Sequence, residues 1–176
     1  MKTIKEILTE IANIAMSLSI INFKSVSICQ KLGFNGFKRW HKCFAKEFYD
    51  YVICLEMKAF DYYSTSLDLT GDIEDYEPKT LVNHFQAYKT IAEKFLAELG
   101  ECNKEFMGIV GFEAPLAECM EKKLLKQLEK CNRMVARYKS IGSEATGLHD
   151  LHVFDDELHK KLKEEESYGK RDYYKA

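Results

Sequence analysis

Proline occurs only twice in 176 residues, at Pro78 and Pro115. Because proline removes a backbone donor and clashes with the preceding helical turn, its scarcity leaves long stretches free to stay helical. Those stretches carry the matching period. Ile4, Ile7, Leu8, Ile11, Ile14, Leu18 and Ile21 recur at three and four residues, which puts them on one apolar helix face. Thr3 and Glu6 have the spacing of a capping box at its start. A first helix is expected from Thr3 to Leu32, ending at Gly33, where GFNG supplies two glycines for a tight reversal.

The second helix carries Phe37, Trp40, His41, Phe44, Phe48, Tyr51, Val52, Leu55, Ala59 and Tyr62 on its inner face. From Leu69 to Lys79 the segment LTGDIEDYEPK interrupts the pattern with Gly71, a cluster of acids and Pro78. A third helix follows from Thr80 to Phe106, with Leu81, Phe85, Tyr88, Ile91, Phe95 and Leu99 inward. Pro115 suits the first turn of a fourth helix running to Tyr138. After SIGSEATG, a short fifth helix carries Leu148, Leu151, Phe154, Leu158 and Leu162.

Helices of this length span roughly 40 Å at about 1.5 Å per residue. Two short turns make antiparallel pairs, and the Leu69–Lys79 connection, at about 3.3 Å per extended residue, reaches roughly 36 Å. It can cross the whole length of a bundle. The predicted fold class is therefore all-α: a four-helix bundle with one long crossover and a short fifth C-terminal helix. One unit over residues 1–165 is expected, followed by a frayed tail at 166–176.

Hydrophobic residues make up 46% of the chain, enough for a sizeable core, and the net charge is −2. No overall basic field marks a nucleic-acid partner. The six cysteines form no C-x-x-C pair and no cluster with zinc-like spacing along the chain, so they read as small core hydrophobes in a reducing compartment. Glu6 and Glu10 stand where a signal peptide would carry positive charge. No run looks long enough to span a bilayer, and a cytoplasmic protein without a membrane partner is expected.

Three stretches then resemble a known family. LAECMEKKLL, from Leu116, looks like the start of the fourth helix of ferritins; GSEATGL, Gly142 to Leu148, and HVFDDELH, His152 to His159, resemble their turn into the fifth. GFKRWHKCFAKEF is similar to their aromatic-rich second-helix start. The resemblance covers most of the chain and is sharpest in its last third. It implies a ferritin-like bundle, a shell of twenty-four subunits and iron stored as mineral.

Catalytic ferritin subunits hold a di-iron centre built from a first-helix glutamate, a Glu-x-x-His pair on the second helix, and further acids or amides. Carboxylate oxygens suit hard ferric ions. Here residues 11–46 contain neither Asp nor Glu, and none of the five histidines follows a glutamate by three. Depending on register, the family's histidine position falls on Cys54 or Ala59, its partner glutamate on Tyr51 or Glu56, and the third-helix acid near Lys89. The centre is incomplete in either register, with Glu56 as a possible remnant ligand.

The resemblance also places Glu118 and Glu121 where ferritins line a three-fold pore with acids. At i and i+3 both lie on one helix face, where they form either a ring of negative charge or ordinary surface pairs with Lys122 and Lys123. His149 and His152 stand on helix five, either near a four-fold axis or in a capping or surface role. The leading expectation is a non-catalytic, light-chain-like ferritin subunit in a homomeric or mixed shell. It would support iron uptake and storage while a catalytic subunit oxidises the metal. The alternative is a ferritin-like bundle acting as a structural or interaction protein without iron; an enzyme with another metal or a nucleophilic cysteine has least support.

Overall fold

The computed structural model describes residues 2–70, 81–107, 122, 125–127, 129, 152–153 and 155–164. Three long helices dominate them: α1 (Ile4–Lys31), α2 (Asn35–Tyr63) and α3 (Leu81–Met107). The expected fourth helix, Pro115 to Tyr138, is described at residues 122, 125–127 and 129, all helical. Residues 152–153 and 155–164 are helical within the expected fifth element. Among the described residues there is no strand. The expected tail at 166–176 lies outside them.

The start of α1 follows from its sequence. Thr3 Oγ1 accepts from Glu6 N at 3.2 Å while the Glu6 carboxylate accepts from Thr3 N at 2.6 Å, closing the capping box. At the other end Gly33 takes φ +80°, Phe34 N donates to Cys29 O and Gly33 N to Gln30 O. This left-handed closure satisfies the last carbonyls and reverses the chain into α2.

The second helix begins without a cap of its own, since Phe34 makes no side-chain cap bond. Asp155 supplies one from far along the chain: Phe37 N donates to its Oδ1 at 2.7 Å, and Gly36 N also donates to it. The carboxylate thereby meets the orphan donors and the positive end of the helix dipole. A Cβ at Gly36 would overlap the carbonyl oxygen of Asp155, so glycine is what lets the two segments touch. His152 stacks on Phe34 with ring centroids 4.3 Å apart. The fifth element is thus docked on the α1–α2 turn.

α1 packs on both α2 and α3. It runs antiparallel to α3, since Lys2 pairs with Glu105 while Asn22 reaches Tyr88. α2 and α3 are parallel to one another, as His41 and His84 meet near both N-termini. Two parallel helices require a connection that returns along the bundle, and its first part does so. Lys5 pairs with Asp68 at 3.3 Å, and further up α1 Thr70 N donates to Asn13 Oδ1 at 2.8 Å.

The connection opens at Ser64, earlier than Leu69. Ser64 adopts φ 50°, and Ser64 N and Thr65 N close the end of α2 on Phe60 O and Ala59 O. Glu56 then accepts from Ser66 Oγ at 2.6 Å and from Leu67 N at 2.9 Å, which seats Leu67 in the core.

By length and composition α1 could cross a bilayer, contrary to the expectation that no run is long enough. More than half of its most apolar window is buried inside the bundle, as in the central helix of a packed core. The reason is positional. α1 touches two other long helices, so its apolar arc is wide. On α2 one expected inward residue is placed differently: Tyr62 is exposed, and Tyr63, four residues after the buried Ala59, packs against the core instead.

Candidate metal centre

Among the described residues, one cluster of polar side chains from α1, α2, α3 and the Gln127 segment lies in the bundle interior. Asn22, Cys29, His41, His84, Tyr88 and Gln127 are all buried, and they come from four different segments of the chain. Buried polar groups persist where they find partners, and Asn22, His41, His84, Tyr88 and Gln127 are joined in one hydrogen-bonded network. The Asn22 side-chain amide donates to Leu18 O and to Tyr88 Oη, both at 2.8 Å. Its Oδ1 accepts from Gln127 Nε2 at 2.8 Å and lies 2.8 Å from His41 Nδ1. The Tyr88 hydroxyl donates onward to Gln127 Oε1. Asn22 therefore uses both donors and both acceptor positions.

That arrangement selects a histidine tautomer. Since Asn22 Oδ1 can only accept, His41 Nδ1 carries the proton and its Nε2 presents a lone pair. His41 Nε2 lies 2.8 Å from His84 Nε2. In the metal-free chain, His84 Nε2–H then donates to His41. Aromatic faces hold both rings: Tyr88 lies 5.4 Å from His41, and Phe85 lies 5.1 Å from His84, centroid to centroid.

Both imidazoles are neutral. Burial pushes His41 well below the ordinary histidine range, with His84 adding to the effect, and burial alone pushes His84 down to about 4. Cys29 Sγ completes the group, with the three potential ligand atoms all within 4.8 Å of one another. Burial pushes its thiol up to about 12, and the Asp155 carboxylate adds to the shift, so it stays protonated in the metal-free chain.

Among the described residues, this is the one group of three or more metal-capable side chains. The expectation of no Cys/His clustering was drawn from spacing along one chain and could not register ligands on three separate helices. A signal did exist, because His41 and His84 both occur at inward-facing helical positions.

The sequence-selected residues lie elsewhere. Glu56 commits both carboxylate oxygens to the start of the crossover. Cys54 and Tyr51 are half-buried, Ala59 is buried, and Lys89 pairs with Glu93 at 3.8 Å within α3. Glu118, Glu121 and His149 lie outside the described residues. The buried carboxylate among the described residues is Asp155, already engaged as the α2 cap. The described interior thus does not fit a carboxylate-rich di-iron centre.

A concavity of about 540 Å³ lies between the start of α1 and the end of α3. Glu10, Glu98, Glu101 and Glu105 are among its lining residues. Lys2 bridges Glu10 and Glu105 at 2.8 and 3.3 Å, and Lys104 holds Glu101 at 2.8 Å. Much of its negative charge is therefore already paired.

The architecture is an all-helical bundle with one long crossover and a short C-terminal helix, and solved structures share it. The open pore ferritin from the hyperthermophilic archaeon Archaeoglobus fulgidus superposes with a TM-score of 0.72 at 13% identity, covering 88% of this chain and 94% of that one. An engineered closed form of the same ferritin gives 0.71 at 15% identity, covering 88% and 93% of the two chains. A humanized archaeal ferritin gives 0.72 at 15%, again covering 88% and 93%. The chain therefore has the ferritin fold. No family model matches it, and no curated protein matches its sequence.

Proposed function

We propose that this chain is a non-catalytic subunit of a ferritin-type shell that stores iron as mineral in the cytoplasm. The observation that carries the reading is the fold match, which spans 94% of the open pore ferritin chain. The non-catalytic part rests on the sequence, where residues 11–46 contain neither Asp nor Glu and no histidine follows a glutamate by three. Ferrous iron, the cargo, would be oxidised by a different, catalytic subunit of a mixed shell, while Glu118 and Glu121 would attract hydrated cations at a three-fold pore.

Association is supported by an apolar stripe on the outside of α2. Tyr49, Ile53, Met57 and Phe60 follow one another at four, four and three residues, and all are exposed, Phe60 to 67%. Such a line on the solvent face of a helix whose other face is buried suits burial against a second subunit. A structural or interaction role without iron shares this feature; it differs in predicting no mineral.

Rapid mixing of the pure chain with ferrous iron under air tests the non-catalytic assignment. The expected result is oxidation close to the protein-free rate, rising when a catalytic ferritin subunit is co-assembled. Fast oxidation of two irons per chain by the pure protein would overturn it.

A further inference from the structure

We propose that Cys29, His41 and His84 form a buried binding site for a divalent transition-metal ion of the zinc class, clamping α1, α2 and α3 together near the α1–α2 turn. One thiolate and two imidazoles are a donor set that favours such an ion over hard ferric iron, which prefers carboxylate oxygen. The site is separate from iron storage, and neither reading depends on the other.

The geometry needs little change to accept the ion. Tetrahedral zinc with Zn–N of about 2.0–2.1 Å places two imidazole nitrogens about 3.3 Å apart. His41 Nε2 and His84 Nε2 are 2.8 Å apart, so they would separate by about half an ångström to admit it. Cys29 Sγ lies within 4.8 Å of a ring nitrogen of each histidine and would move inward to bond at about 2.3 Å.

The surroundings are those of a supported site. Asn22 Oδ1 accepts from His41 Nδ1–H, fixing the tautomer that aims the Nε2 lone pair at the cluster, as outer partners of metal-bound histidines commonly do. Asn22 is itself held by Gln127, Tyr88 and Leu18 O, so the orientation is built into three helices and the Gln127 segment. Binding replaces protons in a balanced way. The Cys29 S–H bond breaks, its proton leaves to solvent, and a Zn–S bond forms. The His84 proton moves from Nε2 to Nδ1 so that Nε2 can bind, giving one proton released per ion. Asp155 lies close enough to act electrostatically on Cys29, and its negative charge offsets the positive charge left on the bound complex.

The test uses the purified full chain stripped with chelator and titrated with Co²⁺ as a spectroscopic substitute for zinc. Saturation at one ion per chain is expected, with a thiolate-to-cobalt charge-transfer band that added Zn²⁺ removes. The band persists in Cys54→Ser and disappears in Cys29→Ser, whose helicity is checked by circular dichroism. Absence of the band in the parent chain, or its survival in a folded Cys29→Ser, overturns the proposal. Should Cys29→Ser not fold, zinc-edge X-ray absorption on the parent chain decides. A shell with one sulfur near 2.3 Å and nitrogens near 2.0–2.1 Å supports the site, and a shell of only nitrogen and oxygen overturns it.

Discussion

Asn22 shows how one polar residue can organise an apolar interior. It stands on the inner face of α1 and meets four partners, so replacing it with alanine strands donors on His41 and Gln127 together. Asn22→Ala should cost on the order of 3 kcal/mol, measured by urea denaturation, because the lost bonds belong to one buried network. A change below about 1 kcal/mol, the level of a surface substitution, would mean that the network carries little of the fold. The two histidines add a pH dependence in chelated protein. His84 titrates near 4 when folded and at its ordinary value when unfolded, so the unfolded chain binds more protons between these limits. Stability contributed by the neutral ring is therefore full above about pH 6.5 and is lost as pH falls towards 4, on the order of 3 kcal/mol for His84 alone. Denaturation midpoints from pH 7.5 to 4.5 should show that slope, and it should shrink in His84→Gln. An unchanged slope in that variant would assign the acid sensitivity to other groups. At this scale the sequence was only half legible. His41 was visible on the inner stripe of α2, and Thr3 with Glu6 announced the capping box. Ser19 and Ser25 are not among the apolar positions that the period picks out, yet they are buried, their hydroxyls donating to Ala45 O and Ile21 O at 2.8 and 2.6 Å.

Among the elements, α2 depends most on the rest of the chain. Its first-turn donors rely on Asp155, and glycine at position 36 permits the approach. Asp155→Ala should lower stability by about 1–2 kcal/mol, the usual effect of losing a helix cap. Gly36→Ala should cost more than the ordinary helix-propensity gain returns, because the new methyl forces the fifth element away from the turn. Thermal denaturation of both variants checks this, and an unchanged midpoint for Gly36→Ala would contradict the close contact. The solvent face of α2 carries the association prediction. Ile53→Glu with Met57→Glu places charge in the exposed stripe without touching the core, so helicity should hold while the particle shrinks on size exclusion. An unchanged particle would separate the stripe from assembly. Periodicity anticipated most of the buried apolar positions described on α1 to α3, with Tyr62 the exception on α2. The cap on α2 escaped because its donors and acceptor are separated by more than a hundred residues, and the true end of α2 because it turns on the left-handed Ser64 and the forward reach of Glu56.

For the whole molecule, topology was readable from lengths: two short turns and one long connection allow few bundles, and the parallel pairing of α2 with α3 follows from that connection. Quaternary structure was not readable in the same way, since it depends on surfaces that complement other subunits. The absence of Asp and Glu from residues 11–46 and of any Glu-x-x-His pair was visible as missing residue types, while the Cys29–His41–His84 group emerged only when three helices were brought together. The central claim, a storage subunit built on a ferritin frame, is tested most directly by measuring the mass of the purified assembly by light scattering with iron content read from the same chromatographic peak. The account predicts a shell-sized particle carrying iron, alone or with a catalytic ferritin subunit. A monomer or dimer that remains free of iron under both conditions would contradict it.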